Sequence, residues 1–207
     1  MRDISARFER DKFQVNQRRL SLKKKYYVYD EHSEALFYVE RPHRFFGGRR
    51  NITIFADDTM KVPLLSITQD NYWELWHRNY TVINTDGQII ARLSRNNLRS
   101  LFRRGWAIMG PTGDTTAKAR EDYAVLAAVR RVLQLIPYVA LLGLLIKTDF
   151  HFLSIDDAGN EQKIGTFNRR FSLFDKYVLD LSDDPARTLN RKVALAVGIL
   201  LDTGEKR

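Results

Sequence analysis

The sequence predicts a mostly β chain, its short antiparallel strands closed into a barrel around one apolar C-terminal helix. Three observations predict it. Aromatic and β-branched runs recur along the chain, bounded by turn residues, at the spacing of about 8–12 residues expected of a sandwich or barrel. The run Val193–Leu201 (VALAVGILL) is apolar on every side, so a helix there must be buried all round. The 207 residues are 44% hydrophobic and 12% aromatic, which suits one globular domain able to bury its own core.

The strands follow in order. The first dozen residues, MRDISARFERDK, are polar and read as an arm, so the domain is expected over 13–207. Phe13, Val15 and Gln17 alternate with Gln14, Asn16 and Arg18. Tyr26, Val28 and Asp30 do the same, and a turn at Asp30–Ser33 leads into Ala35–Glu40. After Pro42 and Gly47-Gly48 come Ile52–Ala56, a turn at Asp57–Thr59, and Pro63–Gln69. Tyr80–Ile83 and Gln88–Leu93 flank Asp86-Gly87, a hairpin signal because glycine supplies the positive φ of the primed turns. Gly105–Met109 is a short strand closed by Gly110-Pro111. Thr148–Ile155, turned by Asp156–Asn160, then Lys163–Phe167 and Tyr177–Leu181 complete the set.

Two helices are expected. The first runs over 116–137, from Thr116 as N-cap to Ile136, where Pro137 ends it. Val125, Val129, Val132, Leu133 and Ile136 fall on one face and Arg130, Arg131 and Gln134 on the other, the pattern of an amphipathic helix on an outer surface. The second is the last element, with Asp184-Pro185 as its cap and first residue. Nine apolar residues rise about 14 Å, well short of the roughly 20 needed to cross a bilayer. Ala194, Ala196 and Gly198 keep the helix thin, which suits threading through a barrel with an apolar lining. The apolar stretch Tyr138–Ile146 is separated from the helix before it by Pro137, and no transmembrane segment is read.

The charge is uneven. Lys plus Arg number 34 and Asp plus Glu 25, a net of +9. Residues 1–50 carry a net +6, residues 51–91 a net −3, and residues 92–106 a net +5 with no acid at all. The candidate anion-binding residues are therefore Arg92, Arg95, Arg99, Arg103 and Arg104, with Lys23, Lys24 and Lys25 as a second patch. In a helical segment 95–104, Arg95, Arg99 and Arg103 share one face. A planar guanidinium binds two phosphate oxygens at once. The competing reading is a solvated face, or one neutralised by Asp57, Asp58 and Glu74 folding back onto it.

Phe13–Arg18, Tyr27–Glu40 followed by Arg41-Pro42, Tyr80–Leu93, Thr148–Phe152 and the closing Val193–Leu201 helix resemble the tubby C-terminal-like superfamily. Within it the likeness is to the LURP-one-related and phospholipid scramblase branch. It covers about residues 13 to 202 and lies in pattern and order. The resemblance implies a closed barrel of twelve antiparallel strands around a buried C-terminal helix, and phosphoinositide binding through basic residues of the barrel wall. It also implies a calcium-binding acidic segment near the last helix. The acids there, Asp180, Asp183, Asp184 and Asp202, lack the D-x-[DN]-x-[DN]-G loop, and no metal site is expected.

No catalytic residue is expected either. The four histidines, His32, His43, His77 and His151, form no i, i+4 pair. No G-x-S-x-G, P-loop or G-x-G-x-x-G occurs, and the adjacent carboxylates sit in turn signals. Without cysteine, thiolate metal sites, disulfides and a cysteine nucleophile are excluded. The function expected is a non-catalytic, cofactor-free binding module for an anionic phospholipid headgroup or another phosphorylated ligand. It would be cytoplasmic and peripheral at the inner membrane surface. The alternatives are a nucleic-acid-associated protein, stacking bases on Trp73, Trp76 and Trp106, and a protein-interaction scaffold. Oligomeric state is not legible from the sequence.

Overall fold

The computed structural model describes residues 4–18, 24–41, 51–70, 77–96, 105–121, 149–170 and 176–205. It is mostly β. A short helix, α1 (Ile4–Phe8), precedes twelve strands: β1 (Lys12–Arg18), β2 (Lys24–Tyr29), β3 (Ala35–Arg41), β4 (Asn51–Phe55), β5 (Pro63–Gln69) and β6 (His77–Asn84), then β7 (Ile89–Asn96), β8 (Gly105–Met109), β9 (Thr115–Glu121), β10 (Asp149–Ile155), β11 (Glu161–Arg170) and β12 (Lys176–Asp180). The helix α2 (Arg191–Glu205) follows. Each strand pairs antiparallel with its sequence neighbours, and β1 closes the barrel on β12 through Lys12 opposite Asp180 to Asn16 opposite Lys176. Closure leaves no sheet edge to template aggregation.

The alternation seen in the sequence sets the two faces. Phe13 and Val15, Tyr26 and Val28, Ile52 and Ile54, Leu65 and Ile67 all turn into one core, as do Tyr80 and Val82, Phe150 and Phe152, and Phe167 and Leu179. α2 fills that core: Val193–Val197 and Ile199–Leu201 are all 3% exposed or less. Its slenderness has a local reason. A Cβ on Gly198 would stand 3.0 Å from Phe167 Cε2, and Phe167 is itself stacked on Tyr177 with ring centroids 5.1 Å apart. Among the described residues no helix is long and apolar enough to cross a membrane.

Three expectations need correction. Residues 115–121 are strand β9, not the start of a helix at Thr116; the remainder of the expected 116–137 helix, and Tyr138–Ile146, lie outside the described residues. Ala117 and Ala119 point inward opposite Ile108 and Trp106, so small side chains on β9 make room for large ones on β8. Alanine carries little strand propensity, and this strand was therefore missed. The eleven strands read from the sequence already required a twelfth, because an odd number cannot close with every pair antiparallel.

The N-terminal arm is not wholly free. Phe8, 3% exposed, stacks on Phe37 at 4.2 Å, and Arg7 donates to the carbonyls of Leu36 and Ala56. One aromatic in a polar dozen is enough to seat α1 against the barrel. Lastly, Asp184 does not cap α2. Asn190 does, its Oδ1 accepting from Lys192 N at 2.9 Å while Asn190 O accepts the first helical bond from Ala194 N. Asp184 instead organises the turn before the helix, accepting from Thr188 N and Oγ1, Leu189 N and Arg191 Nη1.

Candidate anion-binding site

Strand direction alternates, so the connections fall alternately at the two poles of the barrel. At one pole lie five hairpins, β2–β3, β4–β5, β6–β7, β8–β9 and β10–β11. Polar side chains fold their turns. Asp30 Oδ1 accepts from the N–H groups of His32 and Glu34, Asn84 Oδ1 from Asp86 and Gln88, and Asp156 Oδ1 from Asn160. Gly87, at φ 76°, supplies the left-handed residue that Asp86-Gly87 announced.

The opposite pole carries the other strand ends: Arg18 and Lys24, Arg41 and Asn51, Gln69 and His77, Asn96 and Gly105, Glu121 and Asp149, Arg170 and Lys176. The stretches that contain these ends and their connections, 18–25, 40–51, 69–78, 95–105, 121–149, 168–176 and 202–207, hold twenty-two Lys and Arg against nine Asp and Glu. The rest of the chain holds twelve against sixteen. The net charge is thus +13 in these stretches of the sequence and −4 elsewhere; the described residues among them hold nine Lys and Arg against six Asp and Glu.

The predicted site residues divide as follows. Arg92 is exposed on the outer face of β7. Arg95, on the same strand, faces inward with Leu93, its guanidinium 5.8 Å from the Trp106 ring centroid. The strand persists to Asn96, so no helical row begins at Arg95, and period two sends Arg92 and Arg95 to opposite faces. Lys25 lies half-buried on the outer face opposite Glu40. Lys24 is placed in β2 opposite Arg41, with its side chain outside the described set. Lys23, Arg99, Arg103 and Arg104 lie outside the described residues. Of the acids expected to fold back onto the arginines, Asp57 and Asp58 occupy the β4–β5 turn at the other pole from the end of β7, where Thr59 and Tyr27 donate to them, and Glu74 lies outside the described residues. Trp106 is 4% exposed in the core beside Tyr80 and offers no stacking platform; Trp73 and Trp76 lie outside the described residues.

Reading β3, β6, β7 and β11 too short at this pole hid the feature that matters most here. At the basic pole the inward positions change from apolar to polar. Gln17, Arg41, Gln69, Arg78, Arg95, Glu121 and Arg169 all share the face of core neighbours one step deeper in the barrel. Arg78 and Arg95 stand directly opposite each other across β6 and β7, both half-buried. Extending the alternation of Tyr80 and Val82 back by two residues would have found Arg78.

Asp202 on α2 reaches the same level on another side of the barrel. It is 0% exposed, and among the described residues neither carboxylate oxygen has a hydrogen-bond partner. Burial pushes the Tyr26 hydroxyl pKa up, the Asp202 charge adds to the rise, and Arg41 opposes it. The acids beside α2 are therefore split between its two ends, Asp184 before its start and Asp202 in its last turn. Among the described residues no group of three His, Asp or Glu side chains could hold a metal ion.

The hairpin pole has the opposite character. A cavity of about 310 Å³ there is lined by Glu9, Arg10, Asp11, Lys12, Asp30, Glu31 and Ser182, a net negative set unsuited to an anion. No family model matches the chain, and a search of curated proteins gives no match.

Proposed function

We propose that the protein is a non-catalytic module that binds anionic phospholipid headgroups at a membrane surface through the basic pole of its barrel. The observation that carries this reading is the segregation of charge among the described residues: the stretches at this pole hold nine Lys and Arg against six Asp and Glu, and the remainder holds eleven against fifteen. A molecule polarised along its barrel axis is turned by the field of an anionic surface so that one end leads. Each Lys or Arg held near such a surface contributes about 1 kcal/mol, so a handful in simultaneous contact gives useful affinity without any inserted segment. The resemblance to the tubby-like superfamily, where basic barrel residues bind phosphoinositides, supports the same reading.

The test is co-sedimentation with phosphatidylcholine vesicles, with and without one fifth phosphatidylglycerol, beside retention on a DNA oligomer at equal salt. The anionic vesicles should retain the chain at low salt and release it as the ionic strength passes about 0.15 M, where the Debye length is about 8 Å. Replacing Arg95, Arg99 and Arg103 by Gln should weaken retention while leaving the circular dichroism of the barrel unchanged. Equal retention on neutral vesicles, or preference for the DNA, overturns the reading.

A further inference from the structure

We infer that the cavity at the hairpin pole binds an alkyl ammonium, the group that ends a polyamine or a lysine side chain, through Asp30 with Asp11 and Glu31 around it. This inference does not rest on the membrane reading. The site lies at the opposite pole, uses the opposite charge, and stays on the solvent side when the basic pole faces a surface. Its volume, about 310 Å³, falls at the lower end of the range for small-molecule pockets. Four carboxylates line it, Glu9 and Asp11 before β1 and Asp30 and Glu31 after β2, against two cations, Arg10 and Lys12. Neither cation is placed to neutralise it. Lys12 pairs with Asp180, Nζ to Oδ2 at 3.4 Å. Arg10 comes no closer than 3.9 Å to Asp30 Oδ2, beyond a hydrogen bond.

Asp30 is the residue that points to a ligand. Its side chain is 2% exposed. Oδ1 is committed to the turn, accepting from the N–H groups of His32 and Glu34, each at 2.9 Å. Oδ2 is buried and has no hydrogen-bond partner among the described residues. A buried carboxylate oxygen without a donor is costly, and a cation that donates to it removes the cost. The cation nearest Oδ2 is Arg10, itself part of the lining, so this oxygen faces the cavity side. That guanidinium is loosely placed and its side chain is 46% exposed. It marks a position that accepts a nitrogen cation, and a closer-fitting one displaces it.

The neighbouring acids suit an extended cation. Asp11 receives Arg191 Nε and Nη2 on Oδ1, and Glu9 is tied to Arg187. Glu31, 57% exposed, stands at the rim. Carboxylates on both lips let a chain with two or more ammonium groups meet both at once. The five hairpin turns of this pole, 30–34, 56–62, 85–88, 110–114 and 156–160, hold nine Asp and Glu and a single Lys, Lys61. A field of that sign draws cations to this end.

The experiment titrates spermidine at low salt into the full chain and into Asp30→Asn, Glu31→Gln, Arg10→Ala and Asp86→Asn, by calorimetry. Asparagine keeps the Oδ1 acceptor that the turn needs, and thermal unfolding checks that each variant folds. The parent should form a one-to-one complex. Asp30→Asn should lose at least about tenfold in affinity, as for a hydrogen bond to a charged group. Glu31→Gln should lose about three- to fivefold, as for an exposed ion pair. Arg10→Ala should bind more tightly than the parent, because the resident cation is gone. Asp86→Asn, on another hairpin of the same pole, should stay within about twofold. If Asp30→Asn does not fold, the opposite shifts of Glu31→Gln and Arg10→Ala decide alone. A capped Lys-Gly-Lys peptide is the second arm. Loss of either probe in Asp30→Asn upholds the site, and the tighter probe assigns it to a free polyamine or to a lysine of a protein partner. Equal losses in Asp30→Asn and Asp86→Asn, weaker binding by Arg10→Ala, or a parent that binds neither probe overturns the inference. None of these results touches the membrane reading.

Discussion

Arg191→Met should be among the most damaging single changes in the chain. The Arg191 side chain is 4% exposed and ties four segments together where α2 enters the barrel. Its Nη1 donates to Asp184 Oδ2 at 2.6 Å and to Leu189 O at 3.1 Å. Its Nη2 donates to Asp11 Oδ1 at 2.7 Å, Asp184 O at 2.9 Å and Leu181 O at 3.4 Å, and its Nε reaches Asp11 Oδ1 at 3.2 Å. Methionine fills much of the volume but leaves Asp184, 2% exposed, with its charge buried and its cation gone. Breaking a buried pair by removing one partner costs about 3–5 kcal/mol. At about 2–4 °C per kcal/mol for a chain of this size, Tm should fall by about 6–20 °C, read by the loss of β circular dichroism on heating. Asp11→Asn is the internal control. Asp11 is 48% exposed, and its removal leaves Arg191 paired with Asp184, so the cost should stay near or below about 1 kcal/mol. A Tm for Arg191→Met within about 2 °C of the parent, or equal losses for the two variants, would refute the view that this arginine fixes the helix inside the barrel.

Gly165→Ala should destabilise by about 1–3 kcal/mol in urea unfolding, since the added Cβ would lie 2.6 Å from Asp180 O and 2.7 Å from Leu181 Cδ2 on the tightly packed β11–β12 side; an unchanged midpoint would show that the strands separate more easily than this packing implies. Stability should also fall in acid. Burial works to raise the Asp184 carboxyl, but the bonds from Leu189, Thr188 and Arg191 outweigh it and hold the group below the usual carboxylate range. Asp180 is lowered in the same way, Ser182 and Lys12 outweighing its burial, and Glu161 is lowered chiefly by its bond from Lys118. Groups lowered by folding stabilise above their unfolded pKa values, about 4, and lose that contribution as pH falls through their folded ones. Tm should therefore hold from about pH 7 to 5 and drop below about pH 4, with a shallower drop in Asp184→Asn; a flat profile down to about pH 2.5 would contradict the assignment.

The barrel was legible because its inner face repeats every second residue with large apolar side chains, as in Phe13 and Val15 or Phe150 and Phe152. The final helix was legible because it has no polar face to mislead. What escaped shares one cause. The inner faces of β9 and α1 are made by residues that carry weak signals alone: Ala117, Ala119 and a single Phe8. Their burial is decided by partners on other elements, Trp106, Ile108 and Phe37, and a local window does not contain those partners. Asp184 misled for a related reason. Asp-Pro is a good helix start by itself, but Arg191 and the Thr188 and Leu189 amides use this carboxylate to fold the turn, and the cap passes to Asn190.

The candidate site was legible as charge and illegible as place. Residues 18–25 and 92–106 stand about seventy positions apart in the chain, and nothing in either stretch announces the other. Parity sets the strand ends within them, Arg18 and Lys24 and then Asn96 and Gly105, at the same pole. In a barrel that closes with every pair antiparallel, the first, third, fifth and each later odd connection return to the same pole. Missing β9 therefore did more than lose one strand: it exchanged the poles of every segment after it, so Arg169 would have been assigned to the acidic end. Strand starts matter in the same way at finer scale. Placing the start of β6 at Tyr80 leaves Arg78 in a loop, whereas its true start at His77 puts Arg78 on the inner face opposite Arg95. A helical phase had grouped Arg95 with Arg99 and Arg103; the strand phase separates it from Arg92 by the thickness of the wall and sets it against an arginine seventeen residues earlier. The placement of these side chains is thus organised by counting strands and residues, and the opposition of Arg78 and Arg95 across β6 and β7 follows from that count.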